Sequence, residues 1–115
     1  MADKGFDLKV LVPTDDGLTI SENEIENALY YLSYNISDRS YQLVEKYKAD
    51  EIFESNVFNW EEIKKLCNQN KIDKLLSINF ISQNSVEYLV VEKNEISVIL
   101  NILIDQIDNN LLNNI

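Results

Sequence analysis

The acidic pair Asp15-Asp16 is the best-placed chemistry in this chain. It follows an apolar, β-branched run, Leu8–Val12, that Pro13 closes. Ligands of open α/β sheets often sit beyond the carboxyl ends of strands. Two-metal chemistry would need several carboxylates converging from different elements. Asp7, Asp50 and Asp73 are further candidates, but nothing in their spacing brings them to Asp15 and Asp16. The plain reading of Thr14-Asp15-Asp16-Gly17 is therefore a turn with solvated aspartates. Cys67 is the one cysteine, so no internal disulfide forms. A nucleophilic thiol needs a base or a cation beside it, and the chain has no histidine. Cys67 reads instead as a small buried hydrophobe. Two glycines leave no material for a phosphate-cradling loop. The tyrosines Tyr30, Tyr31, Tyr34, Tyr41 and Tyr47 cluster. They suit a stacking platform for a ligand, or the packing of aromatics on a strand pair.

The pattern of apolar residues supplies the elements that would position these groups. Leu8–Val12 reads as a buried strand and Thr14–Gly17 as a turn. Ser21-Glu22-Asn23-Glu24 fits a capping box opening a short helix through about Ala28. Tyr30, Leu32, Tyr34 and Ile36 share one face of a strand. After a turn at Ser37–Ser40, Tyr41, Leu43, Glu45 and Tyr47 share one face of the next, completing a hairpin. Asp50–Phe58 is a linking segment. Its apolar residues Ile52, Phe53, Val57 and Phe58 either anchor it or offer a partner patch. Asn59 caps a helix ending near Asn70, with Trp60, Ile63, Leu66 and Cys67 on one face. Ile72–Phe80 is the next strand. Ser85–Val91 suits strand or helix. Glu95–Leu112 is a helix apolar beyond a single stripe, to be covered by the sheet or by a second subunit. Strands separated by helical crossovers imply one α/β domain over residues 1–115 with a partly parallel sheet.

Composition excludes several functions. The chain has 115 residues, with 10 basic against 20 acidic and a net charge of −10. Nucleic-acid binding needs Lys and Arg to displace counterions from phosphates, and anionic membranes need the same charges. Neither partner is expected. The acidity favours solubility or a basic protein partner, and a homodimer stays open. No uncharged apolar stretch nears about 18 residues, and the N-terminus does not resemble a signal peptide. A cytoplasmic location is the expectation.

The opening Leu8-Lys9-Val10-Leu11-Val12-Pro13-Thr14-Asp15-Asp16-Gly17 resembles the first strand and turn of the dinitrogenase iron–molybdenum cofactor-binding family. Thr19-Ile20-Ser21-Glu22 is similar to the segment leading into that family's His-Phe-Gly motif. Tyr30–Ile36 resembles the strand that follows, and Ile72–Ile78 matches a later strand in position. The resemblance covers roughly Leu8 to Gln83. It implies a ribonuclease-H-like fold, a mixed sheet with helices on both faces. It also implies an accessory or binding role, without catalysis, in nitrogenase cofactor maturation. Candidate cofactor-binding positions are then Asp15, Asp16, Asn23 and Glu24. The chain reads Asn23-Glu24-Ile25-Glu26-Asn27 where the family has His-Phe-Gly. No tightly bound cofactor or metal is therefore expected; the iron–molybdenum cofactor or a precursor enters through the resemblance alone. A cofactor-free protein-interaction module, using the acidic surface or the C-terminal helix, is the alternative.

Overall fold

The Leu8–Val12 run lies at the centre of a five-stranded sheet. A computed structural model describes residues 8–21, 25–37, 39–53, 57–82 and 86–108. Strand β1 spans Leu8–Thr14. It pairs antiparallel with β2, Tyr30–Ile36, and parallel with β4, Lys74–Ser77. Outside these lie β3, Tyr41–Lys48, antiparallel to β2, and β5, Tyr88–Val90, parallel to β4. The order is β3-β2-β1-β4-β5. A central strand covered on both faces must be apolar along its length rather than alternating. Val10, Leu11 and Val12 satisfy this and are fully buried.

Side-chain alternation along the strands divides the core into two layers. Val10, Val12, Leu32, Tyr34, Ile36 and Leu76 face helix α3, Ile96–Asp108. There they meet Ile96, Ile99, Leu100, Leu103 and Ile107. Leu11, Tyr31 and Leu75 face the other way. They pack against Ile63 and Cys67 of helix α2, Trp60–Asn70, together with Ile25, Ala28 and Phe53. The result is a three-layer α/β domain with a mixed sheet flanked by helices, the ribonuclease-H-like architecture anticipated above. The sheet covers the side of α3 that carries Ile96, Ile99, Leu100, Leu103 and Ile107.

Helix α2 forms where its caps dictate. Asn59 Oδ1 accepts from the Glu61 N–H at 2.8 Å, satisfying one of the donors left open at a helix start. At the other end Lys71 turns left-handed, with φ 58°. The Ile72 N–H then donates to the Cys67 carbonyl at 2.9 Å.

Several boundaries differ from the sequence reading. Pro13 does not close β1; it stays in the strand, opposite Tyr31. Its missing N–H costs nothing there, because the pairing of β1 with β4 involves only Val10 and Leu11. Its carbonyl accepts from the Ser21 N–H at 2.9 Å. β4 is shorter than Ile72–Phe80. Ser85–Val91 contains the strand β5, with residue 85 outside the described residues. The linking segment holds a one-turn helix α1, Ala49–Ile52. The expected capped helix before Ala28 is a 3-10 turn, Ile25–Asn27, and Glu22, Asn23 and Glu24 lie outside the described residues.

The second hairpin strand departs most. Its register shifts between Ser33 and Tyr34, so that Glu45 opposes Ser33 while Leu43 opposes Tyr34. Val44 is the extra residue of a bulge, which moves the following side chains to the opposite face. Tyr41 and Leu43 thus lie on the α3 side with Ile36 and Tyr34. Glu45 and Tyr47 lie on the α2 side with Ser33 and Tyr31. The four do not share one face.

Candidate functional site

Strand register collects the connecting loops at one edge of the sheet. Thr14 opposes Tyr30, Tyr30 opposes Lys48, and Ser77 opposes Val90. The carboxyl ends of β1, β3, β4 and β5 and the start of β2 therefore share this edge. The starts of α1, α2 and α3 follow from it.

The Asp15-Asp16 loop is built from its own hydrogen bonds. Asp16 Oδ1 accepts from the N–H groups of Leu18 at 2.8 Å and Thr19 at 2.9 Å. The Thr19 hydroxyl approaches both carboxylate oxygens at 3.2 Å. These donors, the Thr19 N–H foremost and then that of Leu18, hold the Asp16 carboxyl below the usual aspartate range. Buried Thr14 organises the turn from below. Its hydroxyl donates to the Thr19 carbonyl at 2.6 Å and accepts from the Gly17 N–H at 2.9 Å. Gly17 adopts φ 78°, a conformation that side chains disfavour. Asp15 reaches sideways instead. It accepts from the Ser21 hydroxyl at 3.1 Å and from the Leu29 N–H at 3.0 Å.

One motif thus occurs twice. Each aspartate holds the backbone N–H of a leucine, and that leucine's carbonyl accepts from the first residue of a helix. The Leu18 carbonyl takes the Ile96 N–H at 2.8 Å, and the Leu29 carbonyl takes the Ala49 N–H at 2.9 Å. Both leucine side chains face solvent, Leu18 at 71% and Leu29 at 58% exposure. Phe80, in the loop after β4, and Val57, before α2, are also exposed at this edge. Of this display the sequence reading named Val57 alone; Leu18, Leu29 and Phe80 escaped it. The one signal was the apolar character of Leu18, Leu29 and Phe80 within otherwise polar connections.

The other candidates do not join the pair. Asp73 accepts from the Lys9 N–H at 2.8 Å, at the opposite end of β1. Asp50 is exposed on α1. Asp7, Asn23 and Glu24 lie outside the described residues. Among the described residues no three His, Cys, Asp or Glu side chains gather where a metal ion could sit. Cys67 is buried under α2, and burial pushes its thiol up to about 11. The tyrosines form no common platform. Tyr31 is buried on the α2 side, its hydroxyl donating to the Ile25 carbonyl at 2.8 Å. Tyr34 is buried on the other side and meets Tyr41 edge to face. The linking segment splits: Phe53 is buried, Ile52 and Phe58 are half-buried, and Val57 is exposed. Among the described residues no helix is long and apolar enough to cross a membrane.

The class defined by these features is a three-layer α/β domain whose loops at the carboxyl edge are tied by two aspartates. A solved structure titled "Crystal structure of PH0822" has the same fold, with a TM-score of 0.64. The match covers 84% of this chain and 90% of that one at 12% sequence identity. No family model matches the chain, and no curated protein matches it.

Proposed function

We propose that the chain is a non-catalytic accessory protein related to nitrogenase iron–molybdenum cofactor maturation, acting in the cytoplasm by contact with a protein partner. The observation that carries this reading is the fold that the resemblance implied, with the Pro13–Gly17 segment at the carboxyl end of the central strand. The described residues do not fit tight ligation of the cofactor. Asp15 and Asp16 are engaged by backbone and hydroxyl donors. Cys67 is buried in a different layer, its thiol held protonated at neutral pH. Soft and borderline metals prefer thiolate and imidazole, and the chain has no histidine. No step is assigned to a bound cluster, and neither nucleic acid nor membrane has a part.

Anaerobic mixing with isolated iron–molybdenum cofactor, then gel filtration and metal analysis, tests the mode of action. The expected result is protein eluting without stoichiometric iron or molybdenum. One equivalent retained per chain would overturn action by contact alone. The gene is expected among nitrogen-fixation genes, and a host lacking nitrogenase would overturn the relation to cofactor maturation.

A second reading is favoured by the exposed Leu18, Leu29, Val57 and Phe80. Here the chain is an interaction module independent of nitrogenase. Identification of the bound protein separates the two.

A further inference from the structure

We infer that the carboxyl edge holds a binding cleft for a small, neutral, flat aromatic ligand that carries a carboxamide-like edge. In the order β3-β2-β1-β4-β5 the chain leaves β1 toward β2 and leaves β4 toward β5. β1 and β4 are parallel neighbours, so their outgoing loops part and open a crevice between them. Open α/β sheets bind ligands at such a switch point. A cavity of about 280 Å³ lies there. Ile25 lines it from the 3-10 turn after β1, Trp60 from the start of α2, and Asn79, Phe80 and Ile81 from the loop after β4. The walls are held in place. The Ser77 hydroxyl donates to the Asn79 carbonyl at 2.7 Å and accepts from the Asn79 N–H at 3.1 Å. The Tyr88 hydroxyl donates to the Ile81 carbonyl at 3.2 Å and accepts from the Ile81 N–H at 3.1 Å. The backbone is thus pinned on both sides of Phe80, whose side chain stands 87% exposed. Phe58 meets the Trp60 ring edge to face, with centroids 4.9 Å apart, and steadies it.

The lining sets the class of ligand. Trp60 and Phe80 bring aromatic rings, and Ile25 and Ile81 bring apolar walls, a surface suited to a flat ring. The polar members, Ser77, Asn79 and Ser82, are uncharged. The Ser77 hydroxyl is spent on the loop. The Asn79 amide and the Trp60 indole N–H make no hydrogen bond among the described residues. An amide presents a donor beside an acceptor, so a carboxamide edge pairs with Asn79 through both. Among the described residues the lining holds no ionisable side chain. A charged ligand would therefore leave water without a partner in the cleft. The charged residues next to the lining in sequence, Glu26 and Glu61, are carboxylates and turn an anion away.

The cleft does not depend on how the chain meets a protein partner, and its test uses the chain alone. Trp60 is the one tryptophan, so its indole N–H gives a single NMR resonance. The isotope-labelled full chain is titrated with nicotinamide, a flat ring bearing a carboxamide. Three analogues separate the contributions: pyridine lacks the carboxamide, nicotinate is an anion and 1-methylnicotinamide a cation. Saturable shifts are expected at the Trp60 indole and at the backbone of residues 25, 60 and 77–82. Each analogue should bind about tenfold more weakly, through lost hydrogen bonds or an unpaired charge. Asn79→Ala, at an exposed position, should weaken nicotinamide about tenfold and leave pyridine unchanged. Phe80→Ser should weaken both. Ile102→Ser, in a separate cavity between β5 and α3, should change neither. No saturable shift at the indole, or shifts spread over the surface, overturn the cleft. Nicotinate or 1-methylnicotinamide binding as tightly as nicotinamide overturns the neutral class. Equal losses for nicotinamide and pyridine in Asn79→Ala overturn the pairing with the amide.

Discussion

Truncating Leu103 to Ala tests whether α3 belongs to the core of one chain. Leu103 is 2% exposed and packs in the layer between α3 and the sheet. The substitution removes three carbons, a transfer loss of about 2.4 kcal/mol at roughly 0.8 kcal/mol per methylene. Incomplete collapse of the cavity brings the total to about 2.5–5 kcal/mol. A chain of 115 residues has a total stability of roughly 6–17 kcal/mol, so the loss is a large fraction of it. With an unfolding entropy near 2.1 cal/mol/K per residue, Tm falls by about 10–20 °C. Ile102→Ala, one residue earlier and half exposed, should cost under about 0.5 kcal/mol. Urea denaturation at two protein concentrations tenfold apart is the assay. Because the chain's own sheet covers α3, the Leu103 effect should not depend on concentration. A midpoint that rises with concentration, or equal small effects from both variants, would refute this account of the core.

Three further perturbations probe other layers. The folded Asp16 carboxyl is more acidic than the unfolded one, so its contribution is complete above about pH 4 and is lost as pH falls through the folded value. Asp16→Asn should be less stable than the parent at pH 7, with the difference in urea midpoints narrowing at pH 3; a constant difference would count against the loop's dependence on the charge. Cys67, its thiol pushed up to about 11 by burial, should resist maleimide in the native chain at pH 8 and react promptly in urea. Deleting Val44 removes the extra residue and leaves a regular ladder, with Leu43 opposite Tyr34 and Glu45 opposite Ser33 on the faces they already hold, so both the deletion and Val44→Ser should stay within about 1 kcal/mol by denaturation. A loss of several kcal/mol from the deletion would mean that β3 needs the extra twist of the bulge to seat on β2.

The legible parts of the fold are those dictated locally. The apolar run at Leu8–Val12, broken only by Lys9, suits the strand covered on both faces of an α/β sheet. Asn59 announced α2 because a helix start needs a side-chain acceptor there. Six apolar positions, Ile96, Ile99, Leu100, Leu103, Ile104 and Ile107, announced α3 by their spacing. What escaped or stayed open was decided by neighbours distant in sequence. β5 has three residues, too few for a period, and exists because Leu75, Leu76 and Ser77 offer it a ladder. Pro13 continues β1 because the parallel partner pairs only lower down. The bulge at Val44 answers to Tyr34 and Ile36 beneath it, not to any residue in β3 that marks a bulge.

The candidate site shows the same division, with a functional consequence. Sequence placed Asp15 and Asp16 at the carboxyl end of a strand, where carboxylates commonly bind ligands. It did not show what each carboxylate would meet. Asp16 meets the N–H of Leu18, and Asp15 meets the N–H of Leu29. Each aspartate commits one carboxylate oxygen to a backbone donor and shares the other with a hydroxyl, Thr19 at Asp16 and Ser21 at Asp15. The backbone bonds fix the main chain of two leucines whose side chains stand in water. A loose loop would let Leu18 and Leu29 fold back onto the core. A loop held at both the N–H and the carbonyl of each leucine cannot do so without breaking those bonds. Their exposure is thus a property of the bonded framework.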